Sequence, residues 1–348
     1  MQDPQPATVT RICTVGSAQS ENLIEYHRGK ERFIVLQTND IELYALEAGA
    51  DLVGVASAEP LADEASDLER WLHLGYHGTM SWMAENTEVR SDPRLLLPQC
   101  RSIIVIAVNY YTPQLHLRFP NFPRISRYAW GRDYHKVLGR IIKKIETRIR
   151  EMAREEGIEK PKFTAAVDSA PFRNKVWAQR AGLGWIGKNC LLITRQFGSW
   201  VFLGALLTTL DLQPDDKGPH PDHCGNCTRC MDACPTNAIV DPGKLDARAC
   251  LSYLTVEHKG QIPVRHLENL SGWVFGCDTC QDVCPWNRFA KPSRTADFQP
   301  REGLVVPDLH LLSQLTDEQF ASLAAGTSLK RAGRERLRHN ALAVMGLL

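Results

Sequence analysis

The chain carries the segment Cys224-Gly-Asn-Cys227-Thr-Arg-Cys230-Met-Asp-Ala-Cys234-Pro235, whose spacing is C-x2-C-x2-C-x3-C-P. This spacing is typical of segments that bind 4Fe–4S clusters through cysteine thiolates. Eight of the eleven cysteines lie between Cys224 and Cys284. Such crowding indicates two clusters bound in one region of the chain.

A second cysteine run, Cys277-Asp-Thr-Cys280-Gln-Asp-Val-Cys284-Pro285, lacks its first ligand. Val274 stands where the leading cysteine is expected, so Cys250 is the candidate for the missing thiolate. In two-cluster ferredoxins three closely spaced cysteines hold one cluster, and the fourth, before proline, ligates the other. Clusters that share ligands in this way lie close enough to exchange electrons. The predicted ligands are Cys224, Cys227, Cys230 and Cys284 for the first cluster and Cys277, Cys280, Cys250 and Cys234 for the second.

Zinc and disulfide bonds are the alternatives for these cysteines. Paired C-x-x-C units can hold zinc through four thiolates. Zinc does not need the fourth cysteine of the x3-C-P pattern, however, and the chain shows no secretory context that favours disulfides. The remaining thiols, Cys13, Cys100 and Cys190, stand alone, and single cysteines are usually small buried hydrophobic residues.

The composition predicts a soluble globular protein of two or three domains: 348 residues, 43% hydrophobic and 23% charged. The formal net charge of +1 excludes a globally basic protein. Apolar runs are too short to span a membrane, and the N-terminus lacks a basic-then-apolar signal pattern. We therefore expect a cytoplasmic protein, because thiols stay reduced and clusters are assembled in that compartment.

Continuous apolar runs predict a sheet that is covered on both faces. The first forty residues are polar and aperiodic and are expected to form a loose extension. A helix over Ile41–Gly49 should follow it. The predicted strands are Asp51–Ala56, Ser102–Tyr110, Phe163–Val167 and Val201–Thr208.

Two basic segments leave alternatives open. A helix predicted from His135 to Glu156 has one apolar and one basic face, and the basic face is interpreted as solvated, with an RNA contact as the alternative. Five basic residues between Lys330 and Arg338 form either a solvated helix face or a patch that contacts phosphates. The apolar face of the first helix comprises Val137, Ile141, Ile145, Ile149 and Met152.

Asp168 is the residue upstream of the cysteines with the clearest potential for chemistry. Roughly 180 ordered residues precede the clusters, more than an electron carrier needs, so we expect an electron acceptor there. Asp168 stands just where a buried strand ends. A carboxyl group that faces a cleft can be desolvated there and can donate a proton near neutral pH. Alternatively, Asp168 caps the next helix, which carries Arg173 to Arg180.

The combined motifs resemble the epoxyqueuosine reductases, cobalamin-dependent enzymes that complete queuosine in tRNA. The resemblance runs from about Ile41 to the end of the chain. Both cysteine runs carry it, together with the order and spacing of further segments. These are residues 91–98, 125–135, 167–171, 180–189 and 250–255 and the closing stretches 329–334 and 338–346.

The resemblance implies an α+β fold with three ordered parts. They are a nitroreductase-like α/β domain that holds cobalamin, a ferredoxin-like domain with two 4Fe–4S clusters, and a short helical, HEAT-like tail that contacts RNA. The expected limits are 1–40 for a disordered extension, 41–215 for the cobalamin-binding catalytic domain, 216–291 for the cluster domain and 292–348 for the linker and tail.

The resemblance also implies a reaction. In this family the clusters deliver electrons one at a time to the cobalt, and the reduced cobalamin acts on the epoxide of a tRNA-bound cyclopentane ring. Water leaves and an alkene forms. Family matching makes Asp168 the proton donor to the epoxide oxygen. The implied cobalamin contacts are Arg90, Trp130 and Asp168 in the corrin pocket, where Trp130 shields the cobalt, and Ser252, Cys277 and Asp278 on the cluster side.

The implied partners are a tRNA with epoxyqueuosine in its anticodon loop and an electron donor of the flavodoxin, ferredoxin or reductase type. Nothing in the sequence requires a membrane or more than a monomer. Two rival functions remain. A cobalamin-dependent reductive dehalogenase is expected to carry an export signal and a catalytic tyrosine, and no such signal is present. A ferredoxin-like electron-transfer subunit does not need the segments Val167–Pro171 and Gly182–Asn189.

Overall fold

The computed structural model describes residues 38–116, 122–214 and 218–348 and the backbone of two short strands before them. These strands, Tyr26–Arg28 and Glu31–Phe33, pair antiparallel. The rest of the predicted extension before Thr38 lies outside the described residues. The first helix begins at Thr38, three residues before its predicted start at Ile41, so the ordered fold begins inside the segment predicted to be disordered.

Strands and helices alternate irregularly along the described chain. The strands are β1 (Tyr26–Arg28), β2 (Glu31–Phe33), β3 (Leu52–Ser57), β4 (Ser102–Asn109), β5 (Arg124–Ile125), β6 (Phe163–Ala166), β7 (Trp185–Ile186), β8 (Leu192–Ile193), β9 (Val201–Thr208), β10 (Ile239–Asp241), β11 (Lys244–Leu245) and β12 (Trp273–Phe275). The helices are α1 (Thr38–Ala48), α2 (Ala62–His73), α3 (Thr87–Ser91), α4 (Pro93–Leu96), α5 (Tyr134–Glu155), α6 (Asn174–Arg180), α7 (Arg229–Asp232), α8 (Leu251–Val256), α9 (Val264–Leu267), α10 (Thr279–Asp282), α11 (Leu309–Ser313), α12 (Asp317–Ala324) and α13 (Gly333–Val344). Within the described ranges, no helix has the length and apolar character needed to cross a membrane.

Four strands form the central sheet in the order β3-β4-β9-β6, with every neighbouring pair antiparallel. All four predicted apolar runs lie in this sheet, each within one residue of its predicted bounds. Every residue of β4 is buried. The reason is that α1 and α5 pack on one face of the sheet and α6 on the other. The prediction of a sheet covered on both faces is therefore confirmed.

Helix α5 lies within one residue of its predicted bounds at either end, and all five residues of its predicted apolar face are buried. Its outer face carries several ion pairs. Lys143 Nζ lies 3.2 Å from Glu146 Oε2, and Arg148 Nη1 lies 3.2 Å from Glu151 Oε2. Pairs three residues apart on one helix are typical of a solvated face, which favours that interpretation of the basic side chains.

The cluster region and the tail share one hydrophobic core with a loop of the sheet domain. Strand β12 pairs in parallel with β5, although about 150 residues separate them in sequence. The shared core contains Trp130 from the loop, Leu254 and Phe275 from the cluster region, and Leu337 from the tail. The three parts expected from the sequence are therefore packed against one another through this core.

The tail consists of short helices, and its arginines dock them onto the rest of the protein. Arg331 makes a bidentate pair with Glu257, with both N···O distances 2.8 Å. Arg336 donates to the carbonyl oxygens of His258 and Gly260. Two further arginines make contacts within the tail: Arg334 with Asp317 at 2.9 Å, and Arg338 with the Ser313 carbonyl oxygen at 3.3 Å.

Candidate functional site

Four cysteines from both runs surround one cavity of about 160 Å³. Burial raises the pKa of Cys230 to about 11, and the neighbouring thiols of Cys284 and Cys224 add to the rise. Cys284 thus stands beside the first run, where the ligand-sharing prediction expects it. The cysteines that line the cavity are Cys224, Cys227, Cys230 and Cys284.

The other four predicted ligands also come together. Burial raises the pKa of Cys280 well above its usual value, and the neighbouring Cys277 and Cys250 thiols add to it. Cys250 stands at the N-terminus of α8, and burial raises its pKa with a further contribution from Cys234. The backbone N–H of Ala238 donates to Cys234 Sγ at 3.2 Å. Cys250, which belongs to neither run, therefore lies among the thiols it was predicted to complete.

This arrangement suits clusters better than single ions. A cavity of about 160 Å³ between four thiols has room for a group larger than one zinc ion. Burial raises the pKa of Cys277 to about 12, so its thiolate form requires a neighbouring positive charge.

Asp168 lies two residues beyond β6 on a constrained backbone with φ +55°. Its side chain is 65% exposed, so the protein alone does not desolvate it, contrary to the expected buried carboxyl. Helix α6 begins at Asn174 with Arg173 at its N-cap, and the cap interpretation of Asp168 is therefore wrong. The Asp168 carboxyl therefore does not cap the helix and can face a ligand.

Tyr134 holds the Asp168 carboxyl in place. Its hydroxyl donates to Asp168 Oδ2 at 2.5 Å, and His135 Nε2 lies 3.9 Å from the same oxygen. Burial and the Asp168 carboxyl raise the pKa of Tyr134, so this phenol remains a neutral donor. The ring stacks on Phe202 with centroids 4.5 Å apart, which fixes the direction of the hydroxyl.

A cleft of about 740 Å³ opens between the loop after α8 and the tail. Arg331 lies on its wall, stacked over the Trp82 ring at 5.1 Å. The Glu257 carboxylate raises the pKa of Arg331, and Asp168 and Tyr134 contribute to that rise. The cleft includes the basic residues Lys259, Arg331 and Arg336 together with His258 and His339, and the acidic residues Glu257 and Glu335.

The predicted cobalamin contacts fall into two groups. Arg90 donates to the Trp82 carbonyl oxygen at 2.8 Å and supports a residue of the cleft wall. Ser252 is partly exposed, next to Cys250, and Cys277 lies among the cluster thiols.

Trp130 and Asp278 differ from expectation because both are fully buried. The Trp130 indole donates to the Ile125 carbonyl oxygen at 2.8 Å, and the ring belongs to the shared core. Its contact with cobalamin stays a prediction. Asp278 accepts from the backbone N–H of Arg127 at 2.8 Å and from the Ser126 hydroxyl. Its side chain serves the junction between sheet domain and cluster region.

Sequence reasoning missed Tyr134, Trp82 and Arg331 as parts of this site. Tyr134 stands inside a family segment, 125–135, but nothing in its spacing shows that it meets Asp168. Arg331 was grouped with a basic patch. Trp82 had no sequence signal at all, because its position depends on the tail folding back over it.

Comparisons with known proteins agree with this geometry. A sequence model described as epoxyqueuosine reductase QueG matches residues 90–169, and one described as a 4Fe-4S double cluster binding domain matches residues 223–287. Epoxyqueuosine reductase from Synechocystis sp. is 45% identical over 84% of this chain and 99% of the relative. The enzyme from Gloeobacter violaceus is 45% identical over 88% and 95%.

Solved structures agree as well. A crystal structure of an epoxyqueuosine reductase covers 89% of this chain and 81% of its own, with 30% identity and a TM-score of 0.82. Another epoxyqueuosine reductase, solved with an epoxyqueuosine-modified tRNA stem loop, gives 30% identity over the same shares and a TM-score of 0.81. A catabolic reductive dehalogenase is a remote neighbour, with 17% identity and a TM-score of 0.41.

Proposed function

The chain belongs to the epoxyqueuosine reductase family, and we propose that Asp168, together with the cleft lined by Arg331, forms its active site. The enzyme reduces the epoxide of epoxyqueuosine in tRNA, with cobalamin and two 4Fe–4S clusters as cofactors. The observation that carries the assignment of the site is one juxtaposition. An accessible carboxyl, held by a half-buried phenol, occurs in the same fold as a large cleft and eight grouped cysteines. The electrostatic influence of Asp168 on the pKa of Arg331, which lines the cleft, supports their proximity.

Asp168 supplies one of the two protons that the reaction needs, and the other comes from solvent. Removing the epoxide oxygen breaks two carbon–oxygen bonds and consumes two electrons and two protons, leaving an alkene and water. Bound cobalamin supplies the low-potential metal chemistry that opens the ring. The oxygen that is released develops negative charge, and a carboxylic acid placed beside it lowers the barrier by protonating it. The exposure of Asp168 supports this role, because the substrate must reach the group.

Eight cysteine thiolates hold the clusters, shared as the two-cluster rule predicts. Cys284 completes the first set, and Cys234 and Cys250 complete the second. The grouping of the thiols around the first cavity and around Cys280 supports this division. The second set lies on the α8 side, where Ser252 and Cys277 are assigned to the corrin contact.

We assign Trp130 and Asp278 a positioning role in the site. Because both side chains are buried and hydrogen-bonded, they act by holding the loop Ile125–Trp130 against the cluster region. Arg90 likewise positions Trp82, which lies on the cleft wall.

The tRNA approaches the cleft between the tail and the loop after α8. Its lining includes Lys259, which suits phosphate groups, beside Arg331 and Arg336, which are engaged by Glu257 and by the carbonyl oxygens of His258 and Gly260. An anticodon-loop base has to be splayed out of its stack to reach a buried cofactor. A relative solved with a modified stem loop supports tRNA as the substrate.

The remaining assignments concern the electron donor, the cellular location, the oligomeric state and the fold of each part. A reductase or a flavodoxin- or ferredoxin-type donor supplies the electrons, and the protein acts as a cytoplasmic monomer. The sheet domain is nitroreductase-like and the tail HEAT-like, with limits near 41–215, 216–291 and 292–348. The shared core in the fold joins these three parts.

The reductive dehalogenase and the ferredoxin-like subunit are not favoured. Relatives that share 45% identity over most of the chain are epoxyqueuosine reductases, and a carrier subunit does not require the Asp168 site.

The test is anaerobic incubation of reconstituted protein, cobalamin and a chemical reductant with tRNA that carries epoxyqueuosine. Mass analysis of the nucleosides should show the loss of one oxygen. Unchanged nucleosides, with iron, sulfide and cobalamin all measured in the protein, would refute the assignment.

A further inference from the structure

The loop after α8 carries Lys259, an exposed residue of the cleft lining. Among the described residues, its ammonium group has neither an ion pair nor a hydrogen bond. The two acidic residues of the lining are engaged elsewhere, since Glu257 pairs with Arg331 at 2.8 Å and Glu335 with Arg334 at 2.5 Å. Lys259 therefore brings to the cleft a positive charge that no described carboxylate pairs with.

The backbone around Lys259 is held on both sides. Arg336 donates to the carbonyl oxygens of His258 and Gly260. The backbone N–H of Lys259 itself donates to Thr79 Oγ1 at 3.1 Å. Because three successive residues are fixed in this way, the lysine side chain starts from a defined position on the cleft wall.

The buried Tyr253 hydroxyl lies at the centre of these contacts. The backbone N–H of Thr79 donates to it at 2.7 Å, and the hydroxyls of the two residues lie 2.8 Å apart. His258 Nδ1 lies 3.2 Å from the same oxygen. A Cβ atom at Gly78 would overlap this hydroxyl, so the chain packs directly on it there. The hydroxyl thus joins the loop after α8 to the segment that leads to Trp82.

The hydrogen bonds of this network run in one direction. The Gln261 carbonyl oxygen only accepts, so His258 Nε2, 3.0 Å away, carries the ring proton and Nδ1 accepts from Tyr253. Burial lowers the pKa of His258, which favours this neutral ring. Thr79 accepts from the Lys259 N–H and donates its own proton to Tyr253. Removing the Tyr253 hydroxyl therefore breaks the network at its centre.

We propose that the Lys259 ammonium contacts a backbone phosphate of the tRNA and that the Tyr253 hydroxyl positions the loop that presents it. The inference rests on the proposed function, because it requires tRNA to enter this cleft. Lysine binds phosphate as a point charge, and each such contact releases a counterion, so binding weakens as salt rises. Arg331 and Arg336 already hold protein groups, whereas Lys259 can engage a phosphate without breaking a contact.

The experiment measures the binding of labelled tRNA that carries epoxyqueuosine to reconstituted protein with cobalamin, by fluorescence anisotropy at several salt concentrations. In Lys259→Gln the Kd at low salt should rise about three- to tenfold. The slope of log K against log salt concentration should become shallower by about 0.7, the value for one phosphate of a single strand. Lys259→Arg keeps the charge and should keep the slope. Lys144→Gln, on the solvated face of α5, is the matched control and should change neither quantity.

Tyr253→Phe tests the positioning role. The ring stays, but Thr79 and His258 lose their shared partner. We expect the same weaker binding and shallower salt slope as in Lys259→Gln. The double variant should bind about as weakly as the weaker single variant, because both changes remove one contact. A merely structural role would lower the melting temperature of Tyr253→Phe and leave its salt slope unchanged.

Unchanged affinity and salt slope in Lys259→Gln would overturn the phosphate contact, and additive losses in the double variant would overturn the role of Tyr253. These binding measurements do not require turnover. If the unsubstituted protein binds the tRNA but leaves its epoxide intact, the proposed function fails while the binding results still decide the role of Lys259. Absence of tRNA binding by the unsubstituted protein would overturn both together.

Discussion

Single residues decide the proton chemistry at Asp168. Its φ of +55° lies in the left-handed region, which Asp and Asn tolerate better than most residues. This conformation directs the carboxyl away from the sheet and towards Tyr134. The constrained backbone and the Tyr134 hydroxyl together orient a group that the solvent also reaches.

Asp168→Asn should abolish turnover and leave the fold intact. Asn accepts the same backbone conformation but does not donate a carboxyl proton. We expect turnover to fall by about 10²–10⁴-fold, with iron, cobalamin retention and melting temperature unchanged. Single-turnover assays with modified tRNA measure the loss. Asp133→Asn is the control, because Asn replaces Asp well at the N-cap of α5. A variant that keeps more than a tenth of the activity would contradict the assignment.

Tyr134→Phe should weaken turnover less severely. The ring keeps its stack on Phe202, and only the hydrogen bond to Asp168 is lost. Because the carboxyl becomes less well oriented, we expect about a tenfold fall in kcat with a smaller change in KM. Steady-state kinetics on modified tRNA measure both. Tyr44→Phe, which loses a hydrogen bond to Arg148 on the far end of α5, should leave kcat unchanged.

At the scale of elements, replacing glycine by alanine should have opposite effects at a tight backbone contact and on an open helix face. Gly184 meets the Ile193 carbonyl oxygen where β7 approaches β8, so a methyl group has no room there. Gly139 lies inside α5, and nothing lies within 4 Å of the position of a Cβ atom. Gly184 permits the close approach of β7 and β8, whereas Gly139 only lowers the stability of α5.

Gly139→Ala should therefore stabilise the protein and Gly184→Ala destabilise it. Alanine in an open helix position lowers the backbone entropy lost on folding, a gain of about 0.5–1 kcal/mol in the free energy of unfolding. Overpacking at Gly184 should cost about 1–3 kcal/mol. Urea unfolding of both variants under anaerobic conditions gives the values. If both substitutions changed the free energy of unfolding equally and in the same direction, the contact at Ile193 would be contradicted.

The whole molecule is joined through a buried polar junction as well as through its shared core. Asp278 of the cluster region accepts from Ser126 and Arg127 of the sheet domain, and Arg127 also pairs with Asp282 at 2.7 Å. The Asp278 and Arg127 side chains are nearly inaccessible to solvent. This junction holds the thiol sets in register with the Asp168 site.

Asp278→Asn should loosen that junction. The substitution leaves the buried Arg127 charge less compensated, and we expect a loss of about 3–5 kcal/mol in the free energy of unfolding. Asp297→Asn is the control, since Asp297 pairs with Arg132 and Arg140 near the surface and is worth at most about 1 kcal/mol. Thermal unfolding of both variants measures the difference. Equal melting temperatures would show that Asp278 does not join the two regions.

Cys250→Ala should remove one cluster and spare the other. The first cavity does not include Cys250, so its four ligands remain, and we expect about half of the iron to be lost. Iron and sulfide analysis with electron paramagnetic resonance measures this. Cys190→Ala is the control, because its thiol lies near Cys250 but belongs to neither ligand set. Loss of a cluster from Cys190→Ala alone would make Cys190 the ligand.

The sequence alone was sufficient for those features that depend on short-range spacing. Cysteines separated by two residues present their thiols to one cluster whatever surrounds them, and the cysteine before proline ligates the other, so the ligand runs were readable. Continuous apolar runs likewise predicted the four sheet strands to within one residue, because a sheet covered on both faces admits no other pattern.

Only the tertiary structure decided which distant side chains meet. Tyr134 reaches Asp168 and Arg331 covers Trp82, and no local pattern specifies these contacts between segments far apart in the chain. Burial was equally unreadable, since Asp168 proved exposed while Trp130 and Asp278 proved inaccessible. Exposure depends on how separate segments pack, and that packing is a property of the whole fold.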